Sequence, residues 1–439
     1  MEKIKLRKFP YPYHAALAIG SDIDGTSLDN FISIHKFLNT NQDTEMGEGL
    51  ELPIGDSFWM YDRPNLTNSA FSYFKNLKSE ESKAAPIIRD FIRAGILDVM
   101  HSYGNFATMG DFSRKLAITA IEELQKHNLT ISVWTNHGGI ESTHNIGALS
   151  WGKGDIPIHE DNGTAGELDC YHSDLLIEYG IRFYWDCEVS LTSLVGQDSP
   201  VHFSEAYWRS PLYSGFKLKT KSIIKGYLSF ADLLYYKFRR KHFVPWQPFD
   251  FQNHLIQVDQ LRDGNIIFKF KRYGHGKLDW SDHLNFLLND KVLDHLIKKQ
   301  GYLILYIHLG DLKRKKDATT LPLETIQKLR QVAELYHSGK VWVETTSRLL
   351  NYNFIHKYLK WSVTSTASQY QIKIERLNAS VPAYNLSIDD LGGLTFVIPN
   401  DKDVSVFFNK QKLPCTVYFE EEKNQQNVMI PLKKPEWPL

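Results

Sequence analysis

From residue 15 to about residue 350, short apolar runs alternate with longer amphipathic stretches. The apolar runs predict strands at 15–20, 96–100, 130–134, 181–185, 266–270, 302–307 and 341–343. The stretches between them predict helices at 82–94, 111–127, 173–179, 281–299 and 322–337. Strands alternating with helices of this length predict a parallel sheet with crossover helices, an α/β class. The number of units favours a (β/α) barrel over an open two-layer sheet. Two long interruptions break the rhythm. Residues 27–80 are rich in Asn, Asp, Gly and Pro, and residues 190–262 carry aromatics and a basic run. Beyond Asn353 the pattern changes to strict alternation, as in Tyr370-Gln371-Ile372-Lys373-Ile374 and Val404-Ser405-Val406-Phe407. With turn signals at Gly392-Gly393 and Asn400-Asp401, this predicts a small antiparallel β domain. The expected organisation is a barrel over 1–355, with insertions at about 27–80 and 190–262, and a β-rich accessory domain over 360–439.

Composition narrows the classes. Lys+Arg and Asp+Glu are both 51, so no basic excess favours nucleic acid. Aromatics reach 13%, which fits a carbohydrate site, although most aromatic rings in any chain pack in the core. Cys170, Cys187 and Cys415 are too few and too scattered for a disulfide framework or a zinc knuckle. The charged start, Met1 to Lys8, is not followed by an apolar segment. No run of about eighteen apolar residues could span a bilayer. These features together predict a soluble protein of the cytoplasm.

The chemistry concentrates where apolar runs end. The first strand runs into Ser21-Asp22-Ile23-Asp24-Gly25-Thr26. Residues i and i+2 of an extended segment share a face, so two carboxylates are brought together. Like charges this close need a cation between them or a retained proton. The later strands end in His101-Ser102-Tyr103-Gly104-Asn105, in Trp134-Thr135-Asn136-His137-Gly138, in Trp185-Asp186 and in His308. In a β/α barrel these positions converge at one mouth. A carboxylate with two imidazoles is a ligand set for a divalent metal, zinc foremost, with a position left open. Such an ion polarises a carbonyl and acidifies its water, while a nearby carboxylate and histidine move protons.

These residues, in this order, resemble the polysaccharide deacetylase family (the chitooligosaccharide deacetylase homology domain). Ser21-Asp22-Ile23-Asp24-Gly25-Thr26 corresponds to its TFDDGP motif, and His101-Ser102-Tyr103-Gly104-Asn105 to its H-[S/T]-x-x-H motif. Trp134-Thr135-Asn136-His137-Gly138-Gly139 stands at the third motif, Tyr184-Trp185-Asp186 at the fourth and Leu305-Tyr306-Ile307-His308 at the fifth. The resemblance covers about residues 10–350 and implies a distorted (β/α)7 barrel that removes an acyl group from a sugar. It implies Asp24 and His101 as metal ligands and His308 as catalytic acid. Three letters depart from the pattern. Ile23 stands at the base position, so Asp22 substitutes as base. Asn105 replaces the second metal histidine as a poorer ligand; His137 or His144 supplies the missing imidazole, and His137 or Asn105 completes the metal shell with Asp24 and His101. The arginine of the third motif is absent there, and Arg272 stands in. Trp134, Asn136, Trp185 and Arg272 are the expected substrate contacts.

Two rival readings remain. Asp22-Ile23-Asp24-Gly25-Thr26 also matches the first motif of haloacid dehalogenase-like phosphatases, with Asp22 as nucleophile, Asp24 as acid and Mg2+ as cofactor. That reading leaves His101 and His308 unexplained. A non-catalytic sugar-binding barrel would keep Trp134, Trp185 and Trp208 as stacking faces. Residues 222–243, apolar and aromatic with a basic end, are either a helix packed over the barrel mouth or a peripheral membrane contact.

Overall fold

The computed structural model describes residues 4–63, 69–106, 112–138, 144–146, 170–187, 189–190, 196, 198, 253–261, 264–312, 320–378 and 384–439. The proposed contact segment 222–243 and Trp208 lie outside these residues. The fold is mixed α/β and built on one curled, mostly parallel sheet. Ala15–Ser21 sits near its middle and is buried along its whole length. An unbroken apolar run suits that position, because a parallel strand is covered on both faces.

Tyr302–Ile307 pairs in parallel with Ala16 to Ser21 over six consecutive residues. On the other side of Ala15–Ser21 come Asp56–Phe58, Leu97–His101, Val133–Thr135 and Phe183–Trp185, all parallel. Ile266–Phe270 follows Phe183–Trp185, and Arg272–Tyr273 pairs with Tyr302–Ile307. Val341–Val343 lies against the first half of Ala15–Ser21. The seven strands read from the sequence are therefore all present, with ends displaced by at most three residues at the start and one at the finish.

Residues 27–80 are not simply an insertion. They contain the helix Leu28–Asn39 and the core strand Asp56–Phe58. The helix begins where the Ser27 hydroxyl accepts the Asn30 N–H at 3.2 Å. The strand escapes a hydropathy reading because it is short and opens on a buried acid, Asp56, 3.3 Å from the His35 Nε2 on that helix. Replacing Ser27 by alanine is expected to lower stability by about 1 kcal/mol. A urea midpoint unchanged in Ser27→Ala would show that the cap is dispensable.

Residues 190–262 also supply a strand, Ile256–Gln260, as an antiparallel hairpin partner of Ile266–Phe270. The helical content runs past Asn353, since Thr346–Tyr358 is one helix. The C-terminal region forms two four-stranded sheets. It is not purely antiparallel, because Gln369–Leu377 runs parallel to Asp403–Phe408. The N-terminal Lys5–Leu6 joins the other sheet through Thr395–Pro399. Phe396, Ile372 and Ile398 belong to the same apolar core as Leu17 and Leu303, so the C-terminal sheets share the core of the main sheet. Among the described residues no helix is long and apolar enough to cross a membrane. Cys170, Cys187 and Cys415 form no disulfide.

Candidate metal centre

Register brings the polar strand ends to one edge. Ile307 pairs with Ser21, and Asp22 N–H donates to the Ile307 carbonyl at 2.9 Å, so Asp22 and His308 leave the sheet side by side. His101 pairs with Thr135, which places His137 two residues beyond the same edge. Gly25 makes the turn after Asp24 at φ +69, and a β-carbon there would lie 2.7 Å from Cγ of Asp311. Glycine alone meets both demands.

Asp24 is the centre of the group. Its Oδ1 lies 2.9 Å from Nε2 of His137, and its Oδ2 lies 3.0 Å from Nε2 of His101 and 3.6 Å from Nε2 of His308. Asp24 and His101, both buried, and the half-buried His137 form a carboxylate–imidazole group able to hold a metal ion. Oδ2 of Asp24 and Nε2 of His101 face each other without an aligned hydrogen bond. Two ligands about 2.1 Å from a tetrahedral ion stand about 3.4 Å apart, so small outward shifts suffice.

The imidazoles are held from behind. Nδ1 of His101 lies 2.5 Å from Oγ1 of Thr135, which turns Nε2 toward Asp24. His144 is not in the group; its Nε2–H donates to the His137 carbonyl at 2.8 Å. Asn145 Oδ1 accepts the His137 N–H at 2.8 Å. Of these two imidazoles, the structure brings His137 and not His144 to Asp24. Asn105 is buried on the loop after His101, and the three-residue group forms without it.

Asp22 and Arg272 are both fully enclosed. The guanidinium donates through Nη1 and Nη2 to the two Asp22 oxygens at 2.7 and 3.1 Å. Burial alone would raise the Asp22 pKa, but Arg272 and then His101 outweigh it and hold the carboxylate ionised. Asp24 lies well below the carboxylate range, because His137 and His101 overcome its burial. His308 moves the other way. Burial disfavours its charge, yet the Asp24 carboxylate, with help from Asp22 and Asp279, lifts its pKa to about 9. Nδ1–H of His308 donates to the Asp279 carbonyl at 3.1 Å, leaving Nε2 toward Asp24.

The expected substrate contacts come out differently. Trp134 and Asn136 are fully buried, and the indole N–H donates to Asn136 Oδ1 at 2.9 Å. Asn136 also clasps the backbone of Ile146 on both sides, so this pair holds the His137 loop rather than reaching a substrate. Arg272 is spent on Asp22, and Trp185 lies against it, 4.5 Å from the guanidinium carbon to the ring centre. All four side chains are buried.

Two contributors had no signal in the sequence. Trp59, wholly buried after the Asp56–Phe58 strand, stacks on His101 with ring centres 6.0 Å apart and meets His137 edge-on at 5.3 Å. Trp280 bridges to His308, and its indole donates to Asp311 at 3.2 Å. A second group, Glu81, Glu123 and His127, lies at the surface and is crossed by ion pairs from Arg89 and Lys126. No family model matches the chain, and neither does a curated protein or a solved structure.

Proposed function

We propose that the chain is a metal-dependent hydrolase that removes an N- or O-acyl group from a sugar of a polysaccharide or glycoconjugate. The observation that carries this reading is the Asp24 carboxylate set between two histidines, with Asp22 and His308 beside it. Asp24, His101 and His137 would hold a divalent ion, and one carboxylate with two imidazoles suits zinc. Such an ion supplies Lewis acidity to an acyl carbonyl and to a water. Arg272 fixes Asp22 in one orientation and keeps it ionised, ready to accept a proton as base. His308, tethered at Nδ1 by the Asp279 carbonyl, is placed to give a proton to the leaving group.

The reading includes a distorted (β/α)7 barrel in a reducing compartment, the cytoplasm. The run from Ile266 to Tyr273 pairs with Phe183–Trp185 near its start and with Tyr302–Ile307 at its end, which supports a ring of seven strands. Three cysteines without a disulfide support the compartment. A phosphatase with Asp22 as nucleophile gives no role to His101 and His308, which both face Asp24.

The test is metal content together with turnover of N-acetylated and O-acetylated sugars. Asp24→Ala and His101→Ala are expected to lose bound metal. His308→Ala is expected to keep metal and lose hydrolysis. Equal activity in all three variants would refute the assignment. A protein free of transition metal that hydrolyses phosphate esters with Mg2+ would transfer it to the phosphatase class.

A further inference from the structure

Between the strands Asp56–Phe58 and Leu97–His101 the register slips by one residue. Asp56 stands beside Leu97, but Ser57 stands beside Val99, so Asp98 has no partner on that neighbouring strand. Asp98 is the extra residue of a β-bulge. Side chains alternate between the two faces of a strand, and a slip of one residue reverses the faces beyond it.

The apolar cores record the reversal. Leu97 and Met100, three residues apart, belong to the core that holds Phe58 and Trp134, whereas Val99 belongs to the core of Leu17 and Val133. Unbroken alternation would put Leu97, Val99 and His101 on one face. Beyond the bulge, Val99 and His101 instead share the face opposite Leu97. Ser57, beside Val99, points the same way, and its hydroxyl accepts the Ile23 N–H at 2.9 Å, between the two acids of the site. His101 reaches Asp24, 3.0 Å away, because Asp98 is out of step.

Two features hold Asp98 in place. The helix Thr346–Tyr358 begins without a side-chain cap from Thr345, and the first N–H groups of a helix need acceptors from outside it. Oδ2 of Asp98 accepts the Ser347 N–H at 2.6 Å, so the bulged residue caps the helix from another strand. Gly55 makes the room, since a β-carbon there would lie 2.3 Å from Oδ1 of Asp98.

We propose that Asp98 is a positioning residue for the metal centre: by anchoring the bulge on the helix, it aims the His101 imidazole at Asp24. The proposal rests on the metal-centre reading.

Zinc affinity of the full chain, measured by competition with a chelator, tests it. Asp98→Leu keeps much of the volume and Asp98→Ala adds no bulk, but neither offers Ser347 an acceptor. Both are expected to bind zinc at least about tenfold more weakly than wild type. X-ray absorption at the zinc edge is expected to show both imidazoles in wild type and one in these variants. Asp98→Asn keeps an acceptor oxygen and is expected to hold both imidazoles, with affinity within about threefold of wild type. Thr395 also accepts a backbone N–H, from Tyr11 at 3.1 Å, and lies wholly buried in a C-terminal sheet. Thr395→Val is expected to lose stability and keep wild-type zinc affinity. Wild-type affinity in both Asp98→Leu and Asp98→Ala would overturn the proposal alone. So would an equal loss in Asp98→Asn or in Thr395→Val, which would trace the effect to charge or to general stability. A wild-type protein that binds no zinc would overturn the metal-centre reading itself, and the proposal with it.

Discussion

Replacing Arg272 by methionine is expected to lower folding stability by about 3–5 kcal/mol, because it strands the Asp22 charge in a site without water. Asp22 and Arg272 are both enclosed, and both carboxylate oxygens accept from the one guanidinium. Methionine fills much of the space but offers no donor. Lysine restores charge without the two-pronged geometry, so Arg272→Lys is expected to fall between wild type and methionine. The double variant Asp22→Asn/Arg272→Met removes the charge together with its partner and is expected to recover much of the loss. Urea unfolding of wild type, Asp22→Asn, Arg272→Met and the double variant at neutral pH measures the coupling. A loss under about 1 kcal/mol in Arg272→Met would mean that water or another cation reaches Asp22. Arg272 was expected to contact substrate. The structure makes it the partner of Asp22.

Glu344→Gln is expected to change the pH dependence of stability by about 3 kcal/mol. Glu344 follows the strand Val341–Val343 and is 2% exposed. Burial raises its pKa from 4.5 to about 7, and Arg348 and the Thr345 N–H only partly oppose this. The folded state therefore holds the proton more tightly than the unfolded chain. Below about pH 4.5 both states are protonated and the full stability is present. Between about 4.5 and 7 the unfolded chain releases its proton first, and stability falls by about 1.4 kcal/mol per pH unit. Asp98, raised to about 6 by burial, adds a loss of the same sign at slightly lower pH. Glutamine keeps an acceptor for Thr345 N–H and has no proton to lose. The variant is expected to match wild type near pH 4.5 and to exceed it by about 2–3 kcal/mol near pH 8. Parallel stability–pH curves for the two proteins would show that Glu344 is ionised in the fold.

The legible parts of the site were those that follow long apolar strands. Asp22, Asp24, His101 and His308 sit directly beyond runs such as Ala16-Leu17-Ala18-Ile19 and Leu303-Ile304-Leu305. A parallel strand buried on both faces announces itself by composition, and its end announces the site edge. His137 was legible as one of two imidazoles, because the loop holding both follows the next strand. Trp59 and Asp56 were not legible, since Asp56–Phe58 is three residues long and its acid is matched by a histidine on a neighbouring helix. Trp134, Asn136, Trp185 and Arg272 were legible as residues near the site, but not the protein partners they meet there. Position along a strand does not say which neighbour a side chain will meet.

The sequence by itself determined the alternation of strands and helices, the switch to alternating β structure near the C-terminus, and the set of acids and imidazoles at the strand ends. Those follow from local periodicity and from the short reach of strand-end geometry. The tertiary structure decided which imidazole joins Asp24, that Arg272 neutralises Asp22 from 250 residues away, and that the chain's start pairs with its last sheets. Those outcomes depend on strand register and on packing between distant segments. Register is fixed by the whole buried sheet, which no local window contains.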